Sequence, residues 1–247
     1  MPADLSWSAF DVVRALSGVP TMIPQKPILF LGDPHMDFAT IKAAAASYEV
    51  PGTIVCVGDF ELPSSIRSPE IFGALFAAGW EIRYVIGNHD SDTCQQFNYL
   101  IGEKGGHSEG NLHGRGVDVG VVRIAGLGGV FKGRIWLPGE EARYESRADW
   151  LRRNPERWRG GLPLHLADAI FPEDFERMGR MRADVLVCHE GPSSVHRDMG
   201  WQAIDDLAAS MRATWIVHGH HHHLSETALS NGVRVKALGI AEVWEFP

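Results

Sequence analysis

Five short motifs carry the side chains best suited to chemistry: Asp33-Pro34-His35, Gly58-Asp59, Gly87-Asn88-His89-Asp90, His189, and Gly219-His220-His221-His222. Together they offer carboxylate and amide oxygens and imidazole nitrogens. Such donors suit Mn, Fe, Zn or Ni and not a soft thiolate site. Two divalent ions held side by side lower the pKa of bound water, so that hydroxide forms near neutral pH. Two ions, two carboxylates and one hydroxide leave a net charge of about +1, because imidazole and Asn ligands are neutral. That residue of charge favours a phosphate anion, which hydroxide attacks in line with the leaving group. One Gly-Asp pair or one histidine would mean little. Five motifs, each after an expected strand, are hard to obtain by chance.

The elements that must hold these motifs alternate between short apolar runs and helical patterns. Ile28–Leu31, Thr53–Val57 and Ile82–Ile86 read as buried strands, with helices expected over Thr40–Tyr48 and Pro69–Ala78. This order points to an α/β core with parallel pairing. Each strand ends in Gly and a polar residue, so the polar clusters should meet beyond the carboxyl ends of the strands. Val117–Ile124 reads as one further strand. Later come Asp184–Cys188, a helix over Trp201–Met211, and Trp215–Val217; Glu226–Leu229, Val233–Leu238 and Glu242–Phe246 complete the strands. Asn231-Gly232 is a hairpin signal. These patterns imply two mixed sheets packed as a sandwich with helices outside. The chain is read as a single domain, residues 1–247, with the Arg- and Trp-rich stretch 131–182 as a helical insert or cap. Leu5, Phe10, Val13 and Leu16 suggest a short N-terminal amphipathic helix.

The motif series resembles the calcineurin-like metallophosphoesterase superfamily, whose members carry D-x-H, GD, GNH[DE], H and GHxH in this order. The resemblance spans residues 28 to about 222. It implies an αββα fold and a dinuclear centre in which Asp33, His35, Asp59 and His222 bind the first metal. Asp59 would bridge to the second, which also takes Asn88, His189 and His220. It further implies that His89 faces the substrate phosphate and that Asp90 holds its ring. There an imidazolium could stabilise charge or protonate the departing alkoxide. Mn is the first choice of metal, with Fe, Zn or Ni as alternatives. The run His218-Gly219-His220-His221-His222-His223 leaves the ligand register unsettled by spacing alone. Glu190 is read as a solvated turn residue before a partner of His189. His107, His113, His165 and His196 are read as lying outside the site, and the tryptophans as packing anchors.

The implied function is hydrolysis of phosphate mono- or diesters through a hydroxide bridging two divalent metals. The alternative is a catalytically silent binding or scaffold subunit on the same fold. Gly58-Asp59 continues Phe-Glu-Leu-Pro and not the GDxVDRG run of the serine/threonine protein phosphatases, so an arginine clamp is missing and the insert is one place to supply it. A net charge of −8 argues against long nucleic acid as partner and leaves a small phosphorylated substrate, nucleotide-like among the options. No apolar run is long enough to span a bilayer, and the first residues lack the pattern of a secretory signal. Three scattered cysteines fit no disulfide framework, and a reduced cytoplasmic compartment is expected.

Overall fold

The computed structural model describes residues 26–62, 71–101, 107–195 and 199–247. The expected N-terminal helix and His196 lie outside these residues, and the expected Pro69–Ala78 helix begins outside them. Strands β1 (Ile28–Leu31), β2 (Thr53–Cys56) and β3 (Glu81–Tyr84) run parallel, and β10 (Val243–Glu245) pairs antiparallel with β1, in the order β10-β1-β2-β3. The second sheet has the order β4 (Arg115–Val119), β5 (Val122–Leu127), β6 (Val185–Cys188), β7 (Trp215–His218), β9 (Arg234–Ala237) and β8 (Ser225–Ala228). Its four central strands are parallel, and β4 and β8 are antiparallel edges.

Burial on both faces explains why the central strands are unbroken apolar runs: every residue of β1, β2, β6 and β7 is buried. Side chains alternate between the faces. Phe30, Val55, Val57 and Val85 point between the sheets and meet Ile124, Val185, Val187 and Val217. Leu29, Leu31, Ile54 and Cys56 point the other way, under helices α1 (Ala39–Ala46), α2 (Gly73–Ala77) and α3 (Cys94–Leu100). On the far side, Leu127, Leu186, Cys188 and Ile216 lie beneath α5 (Pro172–Gly179) and α6 (Gln202–Met211), which gives the expected layered sandwich.

Two expectations about local structure need correction. Val117–Ile124 is not one strand: β4 and β5 pair antiparallel through Val119 and Val122, with Gly120-Val121 between them. Gly120 sits at φ +61°, which a two-residue hairpin turn demands of its first member, and this glycine breaks the apolar run. Residues 131–182 are also less helical than expected. They hold α4 (Arg147–Arg153), α5 and a single 3₁₀ turn at Leu164–Leu166. Pro138, Pro155 and Pro163, with Gly133, Gly139, Gly160 and Gly161, interrupt the rest. The stretch has an apolar core of its own, where Trp150 packs with Ile135, Leu166 and Phe171.

The polar anchor of this stretch is Asp174, whose side chain is fully buried at the third residue of α5. Its Oδ1 accepts hydrogen bonds from Arg147 at 2.8 Å and Arg177 at 2.7 Å, and its Oδ2 accepts the Phe171 amide at 3.0 Å. His113 Nε2 lies 3.2 Å away. Burial alone would raise the Asp174 pKa, but His113 and Arg147 outweigh it and hold the carboxyl below its ordinary value. A depressed folded-state pKa gives stability that is present at neutral pH and lost as pH falls through the folded value. Asp174→Asn should therefore cost about 3 kcal/mol at pH 7. Denaturant titrations of both proteins should show the gap closing as pH falls below the ordinary aspartate pKa of 3.8. A gap independent of pH would contradict the assignment.

Candidate metal centre

Because β1, β2 and β3 run parallel in one sheet and β5, β6, β7 and β9 in the other, the loops after β1, β2, β3, β6 and β7 open at one edge of the sandwich. Asp33 follows β1, Asp59 follows β2, Asn88 and His89 follow β3, His189 follows β6, and His220 and His222 follow β7. Two hydrogen bonds tie the sheets at this edge. The His220 amide donates to Asp33 Oδ2 at 2.6 Å, and His189 Nδ1 donates to the Val57 carbonyl at 2.9 Å.

The side chains converge in two groups, Asp33–His35–His222 and Asp59–His189–His220, each with its donor atoms within 4.8 Å of one another. In the first, His35 Nε2 lies 3.0 Å from His222 Nε2, which is 3.5 Å from Asp33 Oδ2. In the second, His189 Nε2 lies 3.4 Å from Asp59 Oδ2, 3.2 Å from His220 Nδ1 and 3.1 Å from Asn88 Oδ1. Ligands held about 2.1 Å from one ion and roughly at right or tetrahedral angles stand about 3.0–3.4 Å apart. These spacings fit that geometry. The chemistry fits as well. With Nδ1 donating to Val57, His189 Nε2 faces a carboxylate, an amide oxygen and a second imidazole. Such a meeting of acceptors requires a positive charge at its centre, carried by a proton on Nε2 or, in its place, by a metal ion. Asp33 Oδ1 is a further buried oxygen with no hydrogen bond among the described residues.

The charge balance shows the same demand. Burial pushes Asp33 up to about 6 against the pull of His189. At Asp59 burial acts in the same direction, but the hydrogen bond and charge of His189 overcome it and hold the carboxyl well below its usual range. Burial would lower His189, yet Asp59 and Asp33 drive it up to about 10. His220 is pushed down to about 3 by burial and by the charge of His189. His222 is lowered by burial and then by His35. One positive charge thus concentrates at the Asp59–His189 contact, and the flanking imidazoles stay neutral, as ligation needs.

This convergence strains the backbone of the loops. His35, Asp59, His220 and His222 have φ of +40°, +49°, +69° and +53°, in the left-handed region that side chains disfavour. Gly219 cannot be otherwise, since a Cβ there would collide with Asp33 Oδ1. This packing sets the geometry of the histidine run: His220 joins the second group and His222 the first. His221 lies against Gly191, and His218 is buried with Nδ1 3.0 Å from the Gly219 carbonyl oxygen.

Asp90 does not hold the His89 ring. It is fully buried and braces the backbone, accepting the Phe60 and Gly87 amides at 2.8 Å each. The residue beside the ring is Asp92, with Oδ2 3.0 Å from His89 Nδ1. Asp92 raises the His89 pKa through that hydrogen bond, and burial opposes it. Glu61 stands in the same relation to His35, 2.9 Å from Nδ1, which leaves Nε2 for the cluster. Sequence reasoning missed both carboxylates, because an acid two or three residues past a motif looks like any solvated acid. Glu190 also departs from expectation. It is buried and accepts the Phe131 amide at 2.9 Å and the Trp201 indole N–H at 3.1 Å. His107 packs on Phe76, His113 sits between Gly128 and Asp174, and His165 is exposed, all outside the two groups.

A family model described as calcineurin-like phosphoesterase matches residues 26–224. A Haemophilus influenzae protein described as uncharacterized is 39% identical over 197 residues, 79% of this chain and 83% of that one. Among solved structures, TT1561 of Thermus thermophilus aligns with a TM-score of 0.53 at 14% identity, covering 90% of this chain and 98% of that one, which speaks to the fold alone. Vacuolar Protein Sorting 29 of Cryptosporidium parvum aligns at 0.41 and 14% identity, over 87% and 75% of the two chains.

The geometry separates the histidines experimentally. His220→Ala and His222→Ala should each lose close to one equivalent of bound Mn, measured by elemental analysis after dialysis, and Asp59→Asn should lose more than either. His221→Ala should retain the metal of the parent protein. Full occupancy in Asp59→Asn would overturn the assignment of that carboxylate.

Proposed function

The chain belongs to the calcineurin-like phosphoesterase family, and from that premise we propose that it hydrolyses phosphate mono- or diesters with two divalent metal ions. The observation that carries this reading is the pair of donor groups, Asp33–His35–His222 and Asp59–His189–His220. Asp59 would lie between the two ions, its Oδ1 anchored by the His89 amide at 2.9 Å and its Oδ2 facing His189. Asp33, His35 and His222 would complete the first site, and Asn88, His189 and His220 the second. Mn is the first choice of metal for these oxygen and imidazole donors, with Fe, Zn or Ni as alternatives. When bound, such ions would lower the pKa of water so that hydroxide is available near neutral pH, and would neutralise charge on the phosphoryl oxygens.

The remaining work falls to the protein. His89 lies outside both donor groups, and Asp92 engages its Nδ1, which leaves a protonated Nε2 for a phosphate oxygen or leaving group. The raised pKa of His89 keeps that proton on the ring to higher pH than in a free imidazole. Asp90 holds the loops after β2 and β3 together, which fixes His89 relative to Asp59. The Val57 carbonyl and Glu61 set the ring orientations of His189 and His35.

We read residues 131–182 as a cap within a single domain, joined to the His189 loop through Glu190. The substrate is a small phosphorylated molecule, nucleotide-like in character; the charge of −8 disfavours long nucleic acid. No helix among the described residues is long and apolar enough to cross a membrane. The free thiols Cys56 and Cys188, both buried, support placement in a reducing cytoplasm.

Chelator-treated protein should cleave p-nitrophenyl phosphate or bis-p-nitrophenyl phosphate once Mn is restored. His89→Ala should lower turnover about 10²–10³-fold with metal content intact, and Asp92→Asn should lower it less. If several metals bind and neither ester is cleaved, the catalytically silent scaffold reading takes the place of this one.

A further inference from the structure

Most of the aromatic side chains in residues 131–182 serve packing. Trp150 lies in the core of the stretch, and Trp136 meets Phe131 and Phe175 edge to face. Trp158 differs. Neither it nor its neighbour Phe97 belongs to any of the four apolar cores, and together they line a groove of about 930 Å³. The two rings stand perpendicular with centroids 4.8 Å apart, so a flat group laid against one meets the edge of the other. The Arg159 guanidinium lies 4.3 Å over the Trp158 ring and hydrogen-bonds Asn98 Oδ1. Arg159 is held at φ +52° in a tight turn closed by the Trp158–Gly161 bridge, which sets its backbone at the rim of the groove.

The charges of the groove are uneven. Arg147, its second cation, is neutralised by Asp174 and Glu173. Arg159 has no ion pair among the described residues, and its hydrogen-bond partner Asn98 is neutral. The groove thus presents aromatic surface beside one uncompensated cation, and its complement is a flat aromatic ring carrying a negative group. It is also tethered by the chain to the loop that carries His89. One wall is α3, whose cap Thr93 stands four residues after His89 and is locked by a reciprocal bond with Gln96. Extended chain to Thr93 and helical rise beyond it place Phe97 within about 20 Å of His89.

We propose that the Phe97–Trp158–Arg159 groove is the subsite for a nucleoside monophosphate moiety of the ester cleaved at the metal centre. The inference rests on the hydrolase reading for its place in the reaction. The aromatic rings hold the base, and Arg159 meets the phosphate that is not attacked, in the role of the arginine absent after Gly58-Asp59.

Titration of AMP into the full chain in excess chelator tests the groove apart from turnover. AMP should bind the parent protein, and Trp158→Ala and Arg159→Ala should each weaken binding about tenfold. Trp158→Phe should keep most of the affinity, which separates loss of stacking from loss of fold. With Mn restored, the kcat/KM ratio for the terminal p-nitrophenyl ester of thymidine diphosphate, attacked at its outer phosphate, over methyl p-nitrophenyl phosphate should fall about tenfold in the alanine variants. Absence of AMP binding, or equal affinity in all variants, overturns the proposal. AMP binding that follows this pattern in a protein with no turnover of any ester would support the groove and sink the hydrolase reading instead.

Discussion

Asp33 Oδ2 accepts the backbone amide of His220 across the join between two separate sheets, and the candidate site depends on that contact. The two residues are 187 positions apart, one after the first strand of one sheet and the other after a central strand of the second. The close passage of Gly219 over the same carboxylate and the His189–Val57 hydrogen bond hold the two edges in register. Were the sheets to slide, each group of donors would break apart, because each draws on both sheets. The interleaved apolar layer of Phe30, Val55, Val185 and Val217 resists that slide, since packed interiors do not deform continuously.

Holding the site together is unfavourable in itself. Asp33 and Asp59 are almost wholly buried and lie close enough for each to feel the other's charge. Four of the proposed ligands occupy left-handed backbone. Groups of this kind persist only where the surroundings over-determine them. The surroundings here are the buried strands below and Asp90, which clamps two of the loops through their amides. A cation at the centre would relieve the same repulsion, so metal affinity and fold stability should be coupled.

The 131–182 stretch shows how irregular chain can still be well anchored. Its helices are short, but buried carboxylates pin it at several points: Asp174 to two arginines, Asp168 to Lys132 at 2.7 Å, and Glu190 to the Phe131 amide. Glu190 adjoins His189, so one anchor of the stretch is continuous with the metal centre. A turn at Trp158–Gly161 is thereby set against α3, itself the continuation of the loop that carries His89.

The residue types and their order determined a good deal by themselves. Apolar runs such as Ile28–Leu31, each ending in Gly and a donor, specify parallel strands buried on two faces with chemistry at their carboxyl ends. That is local information, written in hydrophobic period and residue identity, and it suffices to bring the motifs to one edge. Tertiary structure alone decided which groups meet there. It chose His220 and His222 from a run of similar side chains, gave His89 to Asp92 instead of Asp90, and buried Glu190 against Phe131 and Trp201. These choices depend on where strained loops aim their side chains. The aim is set by contacts between residues 101, 132 and 187 positions apart, which no local pattern records.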